Sequence, residues 1–162
     1  MNNYSLLTNI ATLNLMVLIF SGCENKGLNE NLERRKTPLT KMEVSGQYKG
    51  SYVTDLYNTA AIVNVNPDGT FVARIFIFGE EQTENGISPM KGRYTIRHEI
   101  QEDKNAYGES TSTTYLHGID FHAETQWGTR TSTYLITTGF KLEPIGLSYI
   151  DEKAILTKVH NN

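Results

Sequence analysis

Beyond residue 42, apolar and polar positions alternate with a period of two over most of the chain. Ala61, Val63 and Val65 share one side of a segment whose other side carries Ala60, Ile62 and Asn64. After Asn66-Pro67-Asp68-Gly69, Phe71, Ala73, Ile75 and Ile77 alternate with Thr70, Val72, Arg74 and Phe76. Successive side chains of a strand point to opposite faces, so this pattern predicts two half-buried strands joined as a hairpin. Pro67 presets the dihedral of a type I turn, Asp68 accepts local hydrogen bonds, and Gly69 can take the positive φ of a Gly bulge.

The same period recurs in both directions. Tyr48 and Tyr52 fall on one face of an opening strand, and Tyr94 and Ile96 alternate with charge. Ile119, Phe121 and Ala123 alternate with Asp120, His122 and Glu124, the pattern of a strand with one solvent face. Residues 129–138 are rich in Thr, Tyr and Ile, which suit a pleated, half-buried surface. Residues 140–142, 146–149 and 154–159 read as short closing strands, and residues 101–112 as a long polar loop. Some eight to nine antiparallel strands in about 120 residues must hide their edges, and closing into a barrel does so with the least chain. The expected architecture is all-β: a small antiparallel up-and-down barrel of about eight strands, with a two-sheet β-sandwich as the alternative.

One apolar stretch has no such alternation. Residues 6–20 are uncharged and largely apolar, and they run into Phe20-Ser21-Gly22-Cys23, where Cys23 is the only cysteine in the chain. The run is shorter than the ~20 residues a bilayer core requires, and Asn9 and Asn14 interrupt it. An ordinary secretory signal cut before a free cysteine, or a buried core helix, are the other readings of such a segment.

This arrangement resembles a bacterial lipoprotein signal peptide with its lipobox. The resemblance implies a signal peptide over residues 1–22 and a diacylglyceryl thioether on Cys23. Such an anchor, with each buried methylene contributing ~0.8 kcal/mol, would hold the protein to a membrane of the bacterial cell envelope. It would also consume the only thiol, leaving none for a disulfide, a nucleophile or a metal. Glu24 and Asn25 follow Cys23, so no Asp stands directly after it to suggest inner-membrane retention.

From residue 23 to 41 the composition shifts to Asn, Glu, Lys and Arg, with Leu28, Leu32 and Leu39 as the large apolar residues. Such a segment buries too little apolar surface to offset its ordering entropy, and a flexible tether reaching on the order of 20–25 Å is expected. Arg34-Arg35-Lys36 reads as a solvated basic stretch beside Glu30 and Glu33. Residues 42–162 then form one domain. They hold ten Lys or Arg against fifteen Asp or Glu, a net charge of −5 with His neutral, which argues against nucleic acid as partner.

Catalytic patterns are missing from the sequence. It contains no Gly-rich phosphate loop, no nucleophile elbow, no helix-paired His-Glu-His signature and no internal repeat, so neither an enzyme nor a cofactor is expected. His98, His117, Asp120, His122 and Glu124 hold metal-ligating chemistry, but the alternation of Asp120, His122 and Glu124 with Ile119, Phe121 and Ala123 reads more simply as a solvent face, and no metal site is assigned. Glu80, Glu81 and Glu84 read as a solubilising loop. The opening Gly46-x-Tyr48-x-Gly50, the turn Asp68-Gly69-Thr70-Phe71 and Gly92-x-Tyr94 resemble the small lipocalin-like lipoproteins, including those of NlpE type. The Cys-x-x-Cys pair of the NlpE type is missing here, so copper or redox sensing does not carry over.

Three residues stand out as binding candidates: Tyr107 in the polar loop, Trp127 between two strands, and Glu80 in the acidic loop. Trp127 either supplies packing area to the core, the ordinary use of a lone Trp in a small β domain, or anchors a partner. Two functions fit. One is an envelope protein-interaction module of stress-sensor, inhibitor or immunity type, with a filled interior and binding loops. The other is a lipocalin-like carrier or sensor of a small apolar ligand, with unfilled volume among Ala61, Val63, Phe71, Ile75, Tyr94 and Phe121.

Overall fold

The computed structural model describes residues 31–83, 87–146, 148–150 and 153–160, with Tyr57 described by its backbone. The signal-peptide segment, Cys23, the first part of the expected tether, Glu84 and Gly86 lie outside the described residues. A single 3₁₀ turn, Leu32–Arg34, and one helical turn, α1 (Lys41–Val44), lead into the strands. These are β1 (Gly46–Thr54), β2 (Tyr57–Val65), β3 (Thr70–Ile77), β4 (Glu80–Glu81), β5 (Met90–Lys104), β6 (Ser110–Thr125), β7 (Gly128–Thr137), β8 (Lys141–Pro144) and β9 (Leu156–Lys158).

Eight of these strands close into an antiparallel barrel. Every wall pairing joins neighbours in the chain except two: β3 pairs β5 across the small β4 flap, and β9 returns to β1. The sandwich alternative is thereby eliminated, because a continuous ring of hydrogen-bonded neighbours leaves no second sheet to stack. β4 is the one strand outside the ring, paired to the end of β3 through Ile77↔Glu80 and Phe76↔Glu81. The acidic stretch read as a loop is thus partly a short strand.

The β2–β3 turn forms as its residues dictate. Gly69 N–H donates to Asn66 O at 3.1 Å, Gly69 sits at φ 94°, and Asp68 Oδ1 accepts from Thr70 N–H at 2.8 Å. Ala61, Val63, Val65, Phe71, Ala73 and Ile75 then fall on the inner face and are buried. Phe121 sits at the middle of that interior, with ring centroids 4.8 Å from Phe71, 5.8 Å from Tyr134 and 6.3 Å from Tyr94. Each buried tyrosine hydroxyl reaches a partner near a barrel end, as burial of a polar tip requires. Tyr48 donates to Val44 O, Tyr94 donates to Asn66 O, and Tyr134 pairs with Ser148 Oγ.

Two segments depart from the sequence-based expectation. Residues 101–112 are not a loop: β5 and β6 stay paired from Gly92↔Ala123 out to Lys104↔Ser110, and only a tight turn over 105–109 separates them. From His98↔His117 outward, β3 and β7 no longer flank the pair, so a two-stranded ribbon projects beyond the wall. Beyond the buried His117 it has no core to face, and so it carries none of the apolar alternation by which strands are recognised. Of the expected strand at 146–149, the described residues 146, 148 and 149 are not in a strand. Gly146 takes φ 71°, and Tyr149 N–H bonds instead to Ser132 Oγ at 2.8 Å within the β8–β9 connection.

The described part of the expected tether also packs on the barrel. Leu32 and Leu39 are 2% and 4% exposed, and residues 31–41 fold back on the barrel as a strap. The strap is held at several points. Arg35 Nη1 meets Glu43 Oε1 at 2.7 Å, Thr40 and Glu43 form a capping box at the start of α1, and Lys158 Nζ donates to Glu43 O.

Candidate functional site

The meander sends its connections alternately to two ends of the barrel, and the register says which goes where. The β2–β3 turn, the β5–β6 ribbon and the β7–β8 turn share one end with the strap and α1. That end is plugged, since Leu32, Leu39 and Val44 are buried there. The β1–β2 and β3–β4 turns, the segment before β5, the β6–β7 turn and the β8–β9 connection share the other end, the mouth.

Exposed apolar side chains concentrate at the mouth. Among the described residues, eleven large hydrophobic side chains are exposed, and eight of them stand on mouth connections or their flanks. The β1–β2 turn contributes Val53 and Leu56, and the β3–β4 turn contributes Phe78, held at φ 52°. Ile87 precedes β5, Trp127 forms the β6–β7 turn, and Ile145, Tyr149 and Ile155 come from the β8–β9 connection. Singly scattered apolar residues need no explanation, but a ring of them around one opening makes it the candidate contact surface.

Part of this ring encloses a pocket of about 300 Å³ lined by Ile87, Met90, Thr125, Trp127, Arg130 and Tyr149. Arg130 pairs with the inward-facing Ala123, so its side chain starts from the inner row at the rim. Its guanidinium lies 4.7 Å from the centre of the Tyr149 ring, a cation–π distance. Trp127 is 60% exposed, which corrects the core reading in favour of a surface position; its backbone N–H bonds to Thr125 Oγ1 at 3.2 Å, fixing the turn.

The three binding candidates do not come together. Trp127 and Glu80 both stand at the mouth, whereas Tyr107 is 89% exposed at the tip of the ribbon, beyond the plugged end. Glu80 is exposed; its neighbour Glu81 is the engaged acid, accepting from Ser88 Oγ at 2.8 Å and pairing with Arg74 at 3.3 Å. Phe78, Leu56 and Arg130 were missed. Arg130 was legible in principle, since it lies on the same alternating row as Ser132, Tyr134 and Ile136.

A second pocket of about 440 Å³ lies where the ribbon leaves the wall. β6 and β7 separate after Gly118↔Leu135, and Leu32, Tyr115, His117, Ile136 and Lys141 line the gap between them. His117 is 1% exposed and stacks obliquely on its register partner His98, with ring centroids 4.9 Å apart. Burial holds the His117 pKa below the usual histidine value. Asp120, His122 and Glu124 lie on the outer face, as their alternation predicts. His117 has the parity of Ile119 and Phe121 and turns inward. Among the described residues, no group of three or more His, Cys, Asp or Glu is gathered for a metal.

No protein-family model, curated protein or solved structure matches this chain. The mouth and the plugged end must therefore be read from their own chemistry.

Proposed function

We propose that this protein is a lipid-anchored, non-enzymatic module of the bacterial cell envelope that binds another protein through the apolar mouth of its barrel. The observation that carries this reading is the segregation of exposed Leu56, Phe78, Trp127 and Tyr149 to one end, opposite the strap. Large aromatics at loop tips are the side chains that dominate protein interfaces. The interior supports a filled barrel rather than a carrier, because Phe71, Tyr94, Phe121 and Tyr134 pack ring against ring along its axis.

Membrane attachment through a lipid on Cys23 fits this geometry. Only seven residues separate Cys23 from Asn31, a reach of roughly 25–30 Å when fully extended. The chain enters the barrel at its plugged end, so an anchored molecule presents its mouth away from the point of attachment. A sensor, inhibitor or immunity protein needs that orientation toward a partner in the aqueous compartment.

Site-specific photocrosslinking in intact cells tests the reading. A photoreactive residue at position 127 or 78 should capture a discrete protein adduct, and one at position 107 should not. Adducts at 107 with none at the mouth would overturn it. Metabolic labelling with a radioactive fatty acid, lost in Cys23→Ala, tests the anchor separately. A second reading, uptake of a small apolar ligand, is favoured by the mouth pocket. Its volume lies at the lower bound of small-molecule sites, which suits a single inserted side chain better.

A further inference from the structure

We infer that the mouth pocket is an anchor site for one aromatic side chain of the partner protein carrying an adjacent carboxylate, with Arg130 as the group that recognises the charge. This rests on the docking reading above and names the chemistry of the partner's contact.

The argument starts from an imbalance at Arg130. It rises from the inner row of β7, half-buried, between the apolar groups of Met90, Ile87, Trp127 and Tyr149. A guanidinium offers five N–H donors in a rigid fork and stays charged at any physiological pH. Among the described residues its side chain makes one interaction, the stack on Tyr149, and no hydrogen bond or ion pair. Two other wall arginines differ: Arg74 pairs with Glu81, and Arg97 with Glu99 and Asp120. Arg130 is thus a cation held in place by an aromatic face, with its donors unspent, at the wall of an apolar pocket.

Such a pocket selects on two properties at once. Its volume accommodates one ring, for which Trp127 and Tyr149 offer flat faces and Ile87 and Met90 offer aliphatic ones. Its charge favours an oxygen pair that can accept two parallel N–H bonds, the fork geometry of a carboxylate on arginine. Glu80 and Glu124 stand exposed at the same end, so an anion there needs the added contact of a ring in the pocket to offset their repulsion. The selected contact is a ring and a carboxylate on neighbouring positions: a C-terminal aromatic residue, or an aromatic beside Asp or Glu.

Trp127 is the only tryptophan in the chain, so its emission reports on this pocket directly. The probes are N-acetylphenylalanine and N-acetylphenylalaninamide, which differ in charge and little else, titrated into the full-length protein. The acid should perturb Trp127 emission at about tenfold lower concentration than the amide, the ratio expected for one charge-assisted hydrogen-bonded contact. That ratio should fall toward one in Arg130→Met and be partly kept in Arg130→Lys, which retains the charge without the fork.

Equal response to acid and amide in the unaltered protein, or a preference that survives in Arg130→Met, would overturn the inference. If crosslinks at 127 and 78 persist alongside that result, the docking reading stands and only the carboxylate rule fails. If the acid preference holds while mouth crosslinks are missing, the anion pocket is real and the docking reading falls. Laurate perturbing Trp127 at a concentration a hundredfold below the acid would overturn both in favour of a lipid carrier.

Discussion

His117 and Arg35, 82 positions apart in the chain, are joined by a hydrogen bond of 3.2 Å between the imidazole Nε2 and a backbone carbonyl. A carbonyl only accepts, so Nε2 carries the proton and neutral His117 leaves Nδ1 as a buried lone pair without a partner among the described residues. Nδ1 is the atom an added proton would occupy. It would become charged beside the His98 ring across the strand pair and near the Arg35 guanidinium on the strap; Glu33, Lys141 and Glu143 line the same gap.

Acidification should therefore loosen the strap. Burial lowers the folded-state pKa of His117 below its unfolded value near 6.5, so the unfolded chain binds the proton more readily. The stability this contributes is present above about pH 6.5 and is lost as pH falls through the lower, folded pKa. Thermal unfolding between pH 7.5 and 5 should show a decline that is flattened in His117→Gln, and hydrogen exchange at residues 32–35 should rise over the same window.

A second window lies lower. Burial alone would raise the Glu43 pKa, but hydrogen bonds from Arg35 and from the Thr40 backbone and side chain outweigh it and bring the carboxyl to about 2. Being depressed, it stabilises the fold above about pH 4.5 and ceases to do so as pH falls toward 2. Glu43→Gln should lose this dependence, and Thr40→Ala should cost about 1 kcal/mol through loss of the helix cap. Urea melts at pH 7 and pH 3 separate the two effects.

The alternating pattern made the barrel wall legible because its period of two is imposed by a single filled interior. The β2–β3 hairpin, the inward row through Phe121 and the burial of Tyr48 all follow from it. What was not legible had a different physical origin in each case. The ribbon from His98↔His117 to Lys104↔Ser110 is continued by backbone pairing and by polar and ring contacts such as Ser112 to Asp103 and His98 on Tyr115, which leave no apolar period, and Leu32 and Leu39 are too widely spaced to form a periodic stripe. Of the candidate site, Trp127 and Glu80 were singled out from the sequence, while Phe78 and Leu56 were hidden among strand-like apolar residues. Their shared position depends on the parity of the meander, which strand number decides and no local window contains.

Gly92 is fixed by the close approach of two strands. A Cβ there would meet the backbone carbonyl of His122 and the Cα of Ala123 on the paired strand. Backbone cannot give way as a flexible side chain can, so Gly92→Ala should destabilise by roughly 1–3 kcal/mol or more by overpacking. Gly118→Ala, whose Cβ would meet the movable end of Arg97 at 3.1 Å and the Tyr134 carbonyl at 3.3 Å, a milder approach than at Gly92, should cost less in the same chemical melt.

The interior and the mouth should respond oppositely to truncation. Phe121→Ala removes the ring shared by Phe71, Tyr94 and Tyr134 and should cost about 3–5 kcal/mol. Trp127→Ser should change stability by less than about 0.5 kcal/mol, as exposed positions do, yet abolish crosslinking through position 78. A Trp127→Ser variant that unfolds would assign that side chain to packing.

β9 has three residues, and the ring closes through Tyr48↔Lys158 and Lys49↔Thr157 on one side and Lys141↔Thr157 and Leu142↔Leu156 on the other. The seam thus joins the first strand to the last across some 110 positions of chain, and its cost in lost chain freedom falls on a handful of backbone bonds. Synthesis proceeds from the other terminus, so seven wall strands exist before the eighth is available. Without β9 the ring cannot close, and the facing edges of β1 and β8 are left unpaired.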